Sequence, residues 1–207
     1  MCGIVAYVGP RDATRIVVDG LKRLEYRGYD SAGIAIVTAN GVERRRSVGK
    51  LQNLVDLLES APLCGNVGMG HTRWATHGGV TECNAHPHTD ADGTIIVIQN
   101  GIVENYRDLK RSLTDEGVCF ASQTDTEVIA HLVSKYYRRG EVDLASAVRS
   151  ALADLRGPSA VVVMSTLEPQ RLVTARLGNA GAVVIGLGDG ETFIASDMPA
   201  ILDHTQE

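Results

Sequence analysis

The strand-like and helix-like segments of this chain follow one another in three blocks. Apolar residues recur at helical spacing through the middle block, where they predict helices over 104–116, 124–139 and 143–155. Strand patterns dominate before and after this block. An order of strands, helices and strands is typical of an α+β layered domain, whereas a Rossmann fold alternates strands and helices strictly. We therefore expect one α+β domain over residues 1–207.

Local signals refine these boundaries. Gly28 can cap the C-terminus of the first helix, Asn40-Gly41 is a hairpin turn signal, and residues 124–127 match a capping box that opens a helix. The arginines at 44–46 are expected on a solvated edge strand. Residues 65–93 have little periodicity and are expected to form a functional loop. The remaining predicted strands are 2–8, 32–37, 42–48, 94–99, 159–165, 171–176, 182–187 and 192–196, and the remaining helices are 12–25 and 50–60.

Composition narrows the class of partner. The formal net charge of −5 argues against nucleic acid or an anionic membrane as the main partner. No apolar stretch reaches the roughly 18 residues of a membrane helix, and the N-terminus lacks the pattern of a signal peptide. The 4 cysteines form no CxxC pair. We expect a cytoplasmic protein without structural disulfides.

Cys2 is a candidate nucleophile. If Met1 is removed, Cys2 carries both a thiol and a free α-amine, and an α-amine with a pKa of about 7.7–8.0 can take the thiol proton near neutral pH. N-terminal amines are known to activate nucleophiles in this way. A lone cysteine is more often a small buried apolar residue, so Cys2 alone does not decide between the two interpretations.

Three further stretches could complete a site around Cys2. Arg73 can bind a carboxylate through two parallel hydrogen bonds, Asn100-Gly101 can supply two oxyanion donors, and Asp125 can meet an ammonium group. Together they indicate hydrolysis of the side-chain amide of glutamine. Each also has an ordinary explanation, as a structural ion pair, a turn and an acid that favours a helix N-terminus.

A metal site is an alternative use of the polar middle segment. His71, His77, His86, His88 and Cys83 fall within a short stretch, and histidine and cysteine are zinc ligands. The segment lacks a spacing such as HExxH. The residues alone leave this alternative open.

Several motifs identify a family. The chain contains MCGIVAYVG at 1–9, LEYRGYDSAGIA at 24–35, HTRWATHG at 71–78, NAHPH at 84–88, QNGIVEN at 99–105, TDTEVIAHL at 124–132 and GLGDGETFIASD at 186–197. In this order and spacing the chain resembles the N-terminal glutaminase domain of the glutamine–fructose-6-phosphate aminotransferase family, a branch of the class II glutamine amidotransferases. The resemblance implies an N-terminal-nucleophile hydrolase fold, a four-layer αββα sandwich of two antiparallel sheets.

The resemblance also implies catalytic roles. Cys2 would attack the glutamine amide and form a glutamyl thioester, with its α-amine as the base and then the acid. Asn100 and Gly101 would form the oxyanion hole, and Gly101 would also contact the substrate. Arg27 would lie near the catalytic cysteine. No cofactor and no metal is implied, so the histidines become structural or supporting residues.

Substrate-binding residues are implied in the same way. Arg73 would bind the glutamine carboxylate, with Thr76 and His77 beside it, and Asp125 would bind the ammonium group. Trp74 resembles the residue that gates ammonia passage in the full-length family.

The chain departs from the family at three points. Gln99 stands where the family usually has histidine, and 179–181 reads Asn-Ala-Gly where a Ser-Pro or Thr-Pro pair is common. We expect residues 179–181 to lie outside the glutamine site. Nothing corresponds to the C-terminal sugar isomerase domains that bind the fructose 6-phosphate acceptor, and the glutaminase domain itself is expected to continue beyond Glu207. A homodimer is possible in this family. The rival interpretation is a catalytically silent module of the same fold that binds glutamine or docks a partner.

Overall fold

A computed structural model describes residues 2–139 and 142–207, which form two antiparallel sheets and five α-helices. The six-stranded sheet has the order β3-β2-β4-β1-β10-β9, and the four-stranded sheet has the order β5-β6-β7-β8. The strands are β1 Gly3–Val8, β2 Ser31–Thr38, β3 Gly41–Val48, β4 Val67–Arg73, β5 His88–Thr89, β6 Ile95–Gly101, β7 Ser159–Ser165, β8 Leu172–Leu177, β9 Val184–Gly188 and β10 Glu191–Ala195. The helices are α1 Ala13–Arg23, α2 Leu51–Ser60, α3 Tyr106–Asp115, α4 Glu127–Arg139 and α5 Leu144–Ala153.

Side-chain alternation divides the interior into three apolar layers. In β1, Val5 and Tyr7 pack with α1 and α2 on the outer face of the six-stranded sheet, while Ile4 and Ala6 face the other sheet. Successive side chains of a strand point to opposite faces, so one buried strand serves two cores. A third core lies between the four-stranded sheet and α3, α4 and α5. The order of layers is helix, sheet, sheet and helix, which confirms the predicted αββα sandwich.

The alternation continues to the ends of the strands, where the polar residues lie. Cys2 follows the parity of Ile4, and Asn100 at the end of β6 follows the parity of Ile98, which also faces the space between the sheets. The two residues come from different sheets. Their positions place both on the inter-sheet side at the same end of the sandwich.

The sequence pattern does not reveal one of the central strands. The segment 65–93, predicted to be a loop, contains β4, which is buried over its whole length and pairs with both β1 and β2. Its odd-numbered residues Met69, His71 and Arg73 share the inter-sheet face, whereas a Cβ at Gly70 would lie 2.6 Å from Val17 of α1. The glycines that let α1 pack closely onto the sheet also remove the apolar alternation by which a strand is recognised.

Two predicted helix boundaries were wrong. α1 ends at Arg23, and Gly28 does not cap it but adopts extended backbone, with φ −176°, after a short 3₁₀ turn. Glycine is needed there because a Cβ would lie 2.8 Å from the carbonyl carbon of Arg73. α4 begins at Glu127 rather than at 124. A capping box would direct the Glu127 carboxylate to the N–H of Thr124. Instead, the carboxylate accepts hydrogen bonds from the backbone N–H groups of Ala121 and Ser122.

The arginine run lies on the edge strand β3, as predicted, but its side chains are half-buried and bonded to loop carbonyls. Arg44 donates to the carbonyl of Pro87, Arg45 to that of Ala61, and Arg46 to that of Ala85. These bonds tie the edge strand to the loops beside it. Burial lowers the pKa of Arg44 below its ordinary value.

The remaining composition-based expectations concern cysteines and membrane spans. The four cysteines are free thiols, and three of them, Cys64, Cys83 and Cys119, are exposed. Within 2–139 and 142–207, every helix is too short or too polar to cross a bilayer.

Candidate active site

The pairing of β1 with β4 brings the sequence-predicted site residues together. Gly3 stands opposite Thr72 in the register, so Cys2 lies beside Arg73 and Trp74 where the two strands end. The end of β6 approaches from the other sheet. These segments surround a cavity of about 400 Å³ whose lining includes eight of the nine predicted site residues, namely Cys2, Arg73, Trp74, Thr76, His77, Asn100, Gly101 and Asp125.

The Cys2 thiol is held by the backbone of the neighbouring strand. Its Sγ accepts a hydrogen bond from the Trp74 N–H at 3.1 Å, and Trp74 itself is exposed. Burial raises the pKa of the Cys2 thiol above its ordinary value of 9.0, although the Trp74 N–H acts in the opposite direction. The thiol is therefore neutral near pH 7 and needs a base before it can act as a nucleophile.

Arg27, the ninth predicted residue, lies behind the cysteine rather than in the cavity lining. Its Nε donates to the carbonyl oxygen of Cys2 at 3.3 Å, and its Nη1 donates to Asp197 at 2.8 Å. The Asp197 carboxylate also accepts from the hydroxyl of Tyr26. Arg27 thus connects Cys2 to the segment that follows β10.

Asn100 and Gly101 end β6 at the cavity. The Asn100 side chain is buried, and its Nδ2 donates to the carbonyl oxygen of Cys2 at 2.9 Å. Gly101 has φ +129°, and a Cβ there would lie 2.0 Å from the carbonyl oxygen of Pro158. Only glycine can occupy this position, so the amide of Asn100 and the backbone of Gly101 are fixed side by side.

Arg73 organises the loop that follows β4. Its Nη1 donates to the carbonyl of Gly79 at 3.1 Å, and its Nη2 donates to the carbonyls of His77 and Gly78. Burial lowers the pKa of Arg73, but a guanidinium stays charged in proteins. One cation therefore both shapes the loop and lines the cavity.

Asp125 is a buried carboxylate on the opposite wall of the cavity. Its Oδ2 accepts from the N–H of Val103 at 2.7 Å, and its Oδ1 lies 4.0 Å from Nδ1 of His77. That His77 nitrogen is buried and has no hydrogen-bond partner within the described residues. Asp125 thus places a carboxylate, and His77 a polar ring, in the lining of the cavity.

The histidines and Cys83 of the alternative metal site do not converge on one point. The rings of His71 and His86 stack with centroids 4.0 Å apart, and His88 meets His86 edge-on. Among the residues that the structure describes, no three His, Cys, Asp or Glu side chains are placed to hold a metal ion. Burial lowers the pKa of His71 and of His88 to about 3 and that of His86 well below 6.5, so all three rings are neutral at pH 7.

Gln99 is a buried residue whose contacts the sequence did not reveal. Its Nε2 donates to Ser159 at 3.0 Å, and its Oε1 accepts from the hydroxyl of Thr126 at 2.6 Å. Its backbone N–H donates to Nδ1 of His86. Gln99 therefore ties the strand that carries Asn100 to the residue that follows Asp125. In the sequence, position 99 stands out only as a departure from the family. Its partners could not be inferred from it, because they lie 27 and 60 residues away along the chain.

The loop at 179–181 was misplaced by the sequence analysis. Asn179 and Ala180 line the same cavity as Cys2, together with Ile102 and Pro158. They contact it because Gly178 continues from β8, which lies beside β7 in the four-stranded sheet. No local pattern in the sequence indicates that this edge of the sheet reaches the cavity.

An antiparallel four-layer sandwich with a thiol at the start of its central strand defines the N-terminal-nucleophile class of hydrolases. Residues 71–203 match the family model described as a glutamine amidotransferase domain. The chain belongs to this family of glutamine amidotransferase domains.

Similar proteins agree with this assignment. The chain is 52% identical over 206 residues to glutamine–fructose-6-phosphate aminotransferase (isomerizing) of Thermus thermophilus and 53% identical to that of Gloeobacter violaceus. It spans about a third, 33%, of the length of each of these relatives. Among solved structures, glutamine phosphoribosylpyrophosphate amidotransferase from B. subtilis superposes with a TM-score of 0.83 at 26% identity, covering 97% of this chain and 43% of that one.

The buried histidines predict loss of stability in acid. Because the folded-state pKa values of His71 and His88 are about 3, the unfolded chain, with histidine pKa values of about 6.5, binds more protons between these limits. Their contribution to stability is complete above about pH 6.5 and declines as the pH falls towards 3, by about 1.4 kcal/mol per pH unit for each histidine. Urea titrations between pH 7 and pH 5 measure this slope.

The variant His88→Gln provides the control for this experiment. It removes one titrating ring, so its free energy of unfolding should fall less steeply with pH, by about 1.4 kcal/mol per unit. The carboxylate of Glu127 does not affect the slope between pH 7 and pH 5. Burial alone would raise its pKa, but hydrogen bonds from His131, Ser122 and Ala121 lower it to about 2. An identical slope in His88→Gln would contradict the account.

Proposed function

We propose that this domain hydrolyses L-glutamine to glutamate and ammonia through a thioester on Cys2. The observation that carries the proposal is the cavity of about 400 Å³, on which the thiol, the amide of Asn100, a buried guanidinium and a buried carboxylate all open. A thiol beside oxyanion donors suits an acyl substrate. A cation and an anion on facing walls suit the carboxylate and the ammonium of an amino acid.

The first step requires a base, because the raised pKa of Cys2 keeps its thiol protonated. Removal of Met1, which lies outside the described residues, would supply the α-amine of Cys2 as that base. The sulfur then attacks the side-chain carbonyl carbon of glutamine. A new C–S bond forms, the carbonyl electron pair moves onto oxygen, and the amine holds the thiol proton.

The developing oxyanion would lie against Asn100 and Gly101. When the tetrahedral intermediate collapses, the C–N bond breaks, and the proton on the α-ammonium goes to the leaving nitrogen, so ammonia departs and a thioester remains. Water, deprotonated by the same amine, then attacks the thioester and releases glutamate and the thiol. Removing one oxyanion donor typically costs roughly 3–4 kcal/mol of transition-state stabilisation.

The substrate's charged ends would be held by Arg73 and Asp125. Arg73 would bind the α-carboxylate while it keeps the carbonyls of 77–79 in place. Oδ1 of Asp125, near the unpartnered His77 nitrogen, would accept from the α-ammonium. Thr76 and Trp74 complete the wall at the opening.

In a longer protein the ammonia would pass to an acceptor. The relatives three times as long as this chain are named for aminotransfer to fructose 6-phosphate. We infer that this glutaminase domain, residues 1–207, supplies ammonia for glucosamine 6-phosphate synthesis when it is joined to sugar isomerase domains. A cytoplasmic location and a homodimer are part of the same proposal, and both rest on the family alone.

Replacement Cys2→Ala removes the nucleophile and should abolish ammonia release while glutamine still binds. Coupled detection of glutamate measures turnover, and calorimetry measures binding. Cys83→Ala, which replaces an exposed thiol outside the cavity, is the matched control and should keep full activity. A wild-type chain that binds glutamine without turnover would favour the silent binding module instead.

Replacement Arg73→Lys should mainly raise KM. A lysine ammonium is a point charge and does not reproduce the planar fork of donors, so it cannot hold the loop carbonyls and a carboxylate together. We expect KM to rise at least tenfold with a smaller change in kcat, measured by steady-state glutaminase kinetics. A KM equal to that of the wild type would remove Arg73 from the substrate site.

A further inference from the structure

The side chain of Asn100 can serve an oxyanion in only one of its two orientations. An amide presents two N–H donors on one side and an acceptor oxygen on the other. Rotated by half a turn, Asn100 would place its oxygen where the negative charge develops. Some contact must therefore select the orientation in which Nδ2 faces Cys2, as it does here at 2.9 Å from the Cys2 carbonyl oxygen.

The Cys2 carbonyl, which accepts from Nδ2, is one such contact, and His71, which lies at Oδ1, is the second. His71 lies on the inter-sheet face of β4, and its Nε2 is 3.3 Å from Oδ1 of Asn100 and 3.0 Å from the carbonyl oxygen of Gln99. Both partners are acceptors, so Nε2 carries the hydrogen and donates to both. The ring is buried and stacks on His86, which fixes its plane.

The other nitrogen of the ring shows that this arrangement has a cost. Nδ1 of His71 is buried and has no hydrogen-bond partner within the described part of the chain. A buried acceptor that is left unsatisfied destabilises the fold. An apolar side chain at this position would avoid the cost, so the retained donor at Nε2 is the feature that distinguishes histidine here.

We propose that His71 is a positioning residue for catalysis, which holds the amide of Asn100 with its N–H groups directed to the oxyanion site. The inference rests on the proposed glutaminase function and adds a residue to it. His71 touches neither the substrate nor the sulfur and is absent from the cavity lining. It acts through the hydrogen bond to Asn100, and its bond to the Gln99 carbonyl holds the donor in place.

Two variants separate the donor from the volume of the side chain. His71→Met fills a similar space without a donor, whereas His71→Gln can place an amide N–H near the position of Nε2. We expect His71→Met to lower kcat at least tenfold with KM within twofold of the wild type, because the lost orientation matters in the transition state. His71→Gln should keep kcat within about threefold.

A double-mutant cycle tests the route of the effect. If His71 acts through Asn100, then His71→Met should lower kcat no further in an Asn100→Ala background. His204→Met is the matched control, because that ring stacks on Phe193, the partner of Tyr7 at the opposite end of β1. This control should leave kcat unchanged within twofold.

Three results would overturn the inference: a kcat of His71→Met within twofold of the wild type, a folded His71→Gln impaired at least tenfold, or full additivity in the cycle. The His71→Gln result decides the matter even if His71→Met does not fold, which circular dichroism reports. An inactive wild-type chain would instead refute the proposed glutaminase function, so the two failures are distinguishable.

Discussion

The antiparallel pairing of β1 with β4 sets the relative position of the thiol and the guanidinium that open on the cavity. Its register places Gly3 opposite Thr72, and the strand alternation then directs Cys2, His71 and Arg73 into the space between the sheets. Asn100 enters the same space from the second sheet. A shift of this register by one residue would turn the side chains of the shifted strand towards the helices and separate the thiol from the guanidinium. The apolar contacts of Met69 and its neighbours between the sheets oppose such a shift.

Burial holds each ionisable group of the site in one charge state. The thiol and the stacked histidines are neutral, since burial disfavours the thiolate and the imidazolium, while the guanidinium of Arg73 remains charged against backbone carbonyls. Neutral histidines can serve as directional donors without adding positive charge near Cys2. The unpartnered nitrogen of His71 costs about 1–3 kcal/mol, less than the roughly 3–4 kcal/mol attributed to one oxyanion donor.

The sequence predicted much of this molecule, and its failures have physical causes. Apolar patterning located β1, β6 and the helices, because the helices bury one apolar face and the two strands are apolar along most of their length. It missed β4, whose glycines accommodate α1 and whose polar residues line the site. It also placed residues 179–181 outside the cavity and left the roles of His71 and Gln99 unrecognised. Their partners are far away in sequence, and only the tertiary fold brings them together. The roles of the individual site residues remain predictions.

The most direct test of the central claim is the intact mass of the purified protein, measured before and after treatment with a glutamine-mimicking electrophile. The account predicts a chain that has lost Met1 and that gains one adduct, mapped by peptide analysis to Cys2. Protection by excess glutamine should slow the labelling, because both compete for the cavity between Arg73 and Asp125. A chain that retains Met1 and forms no adduct on Cys2 would contradict the account.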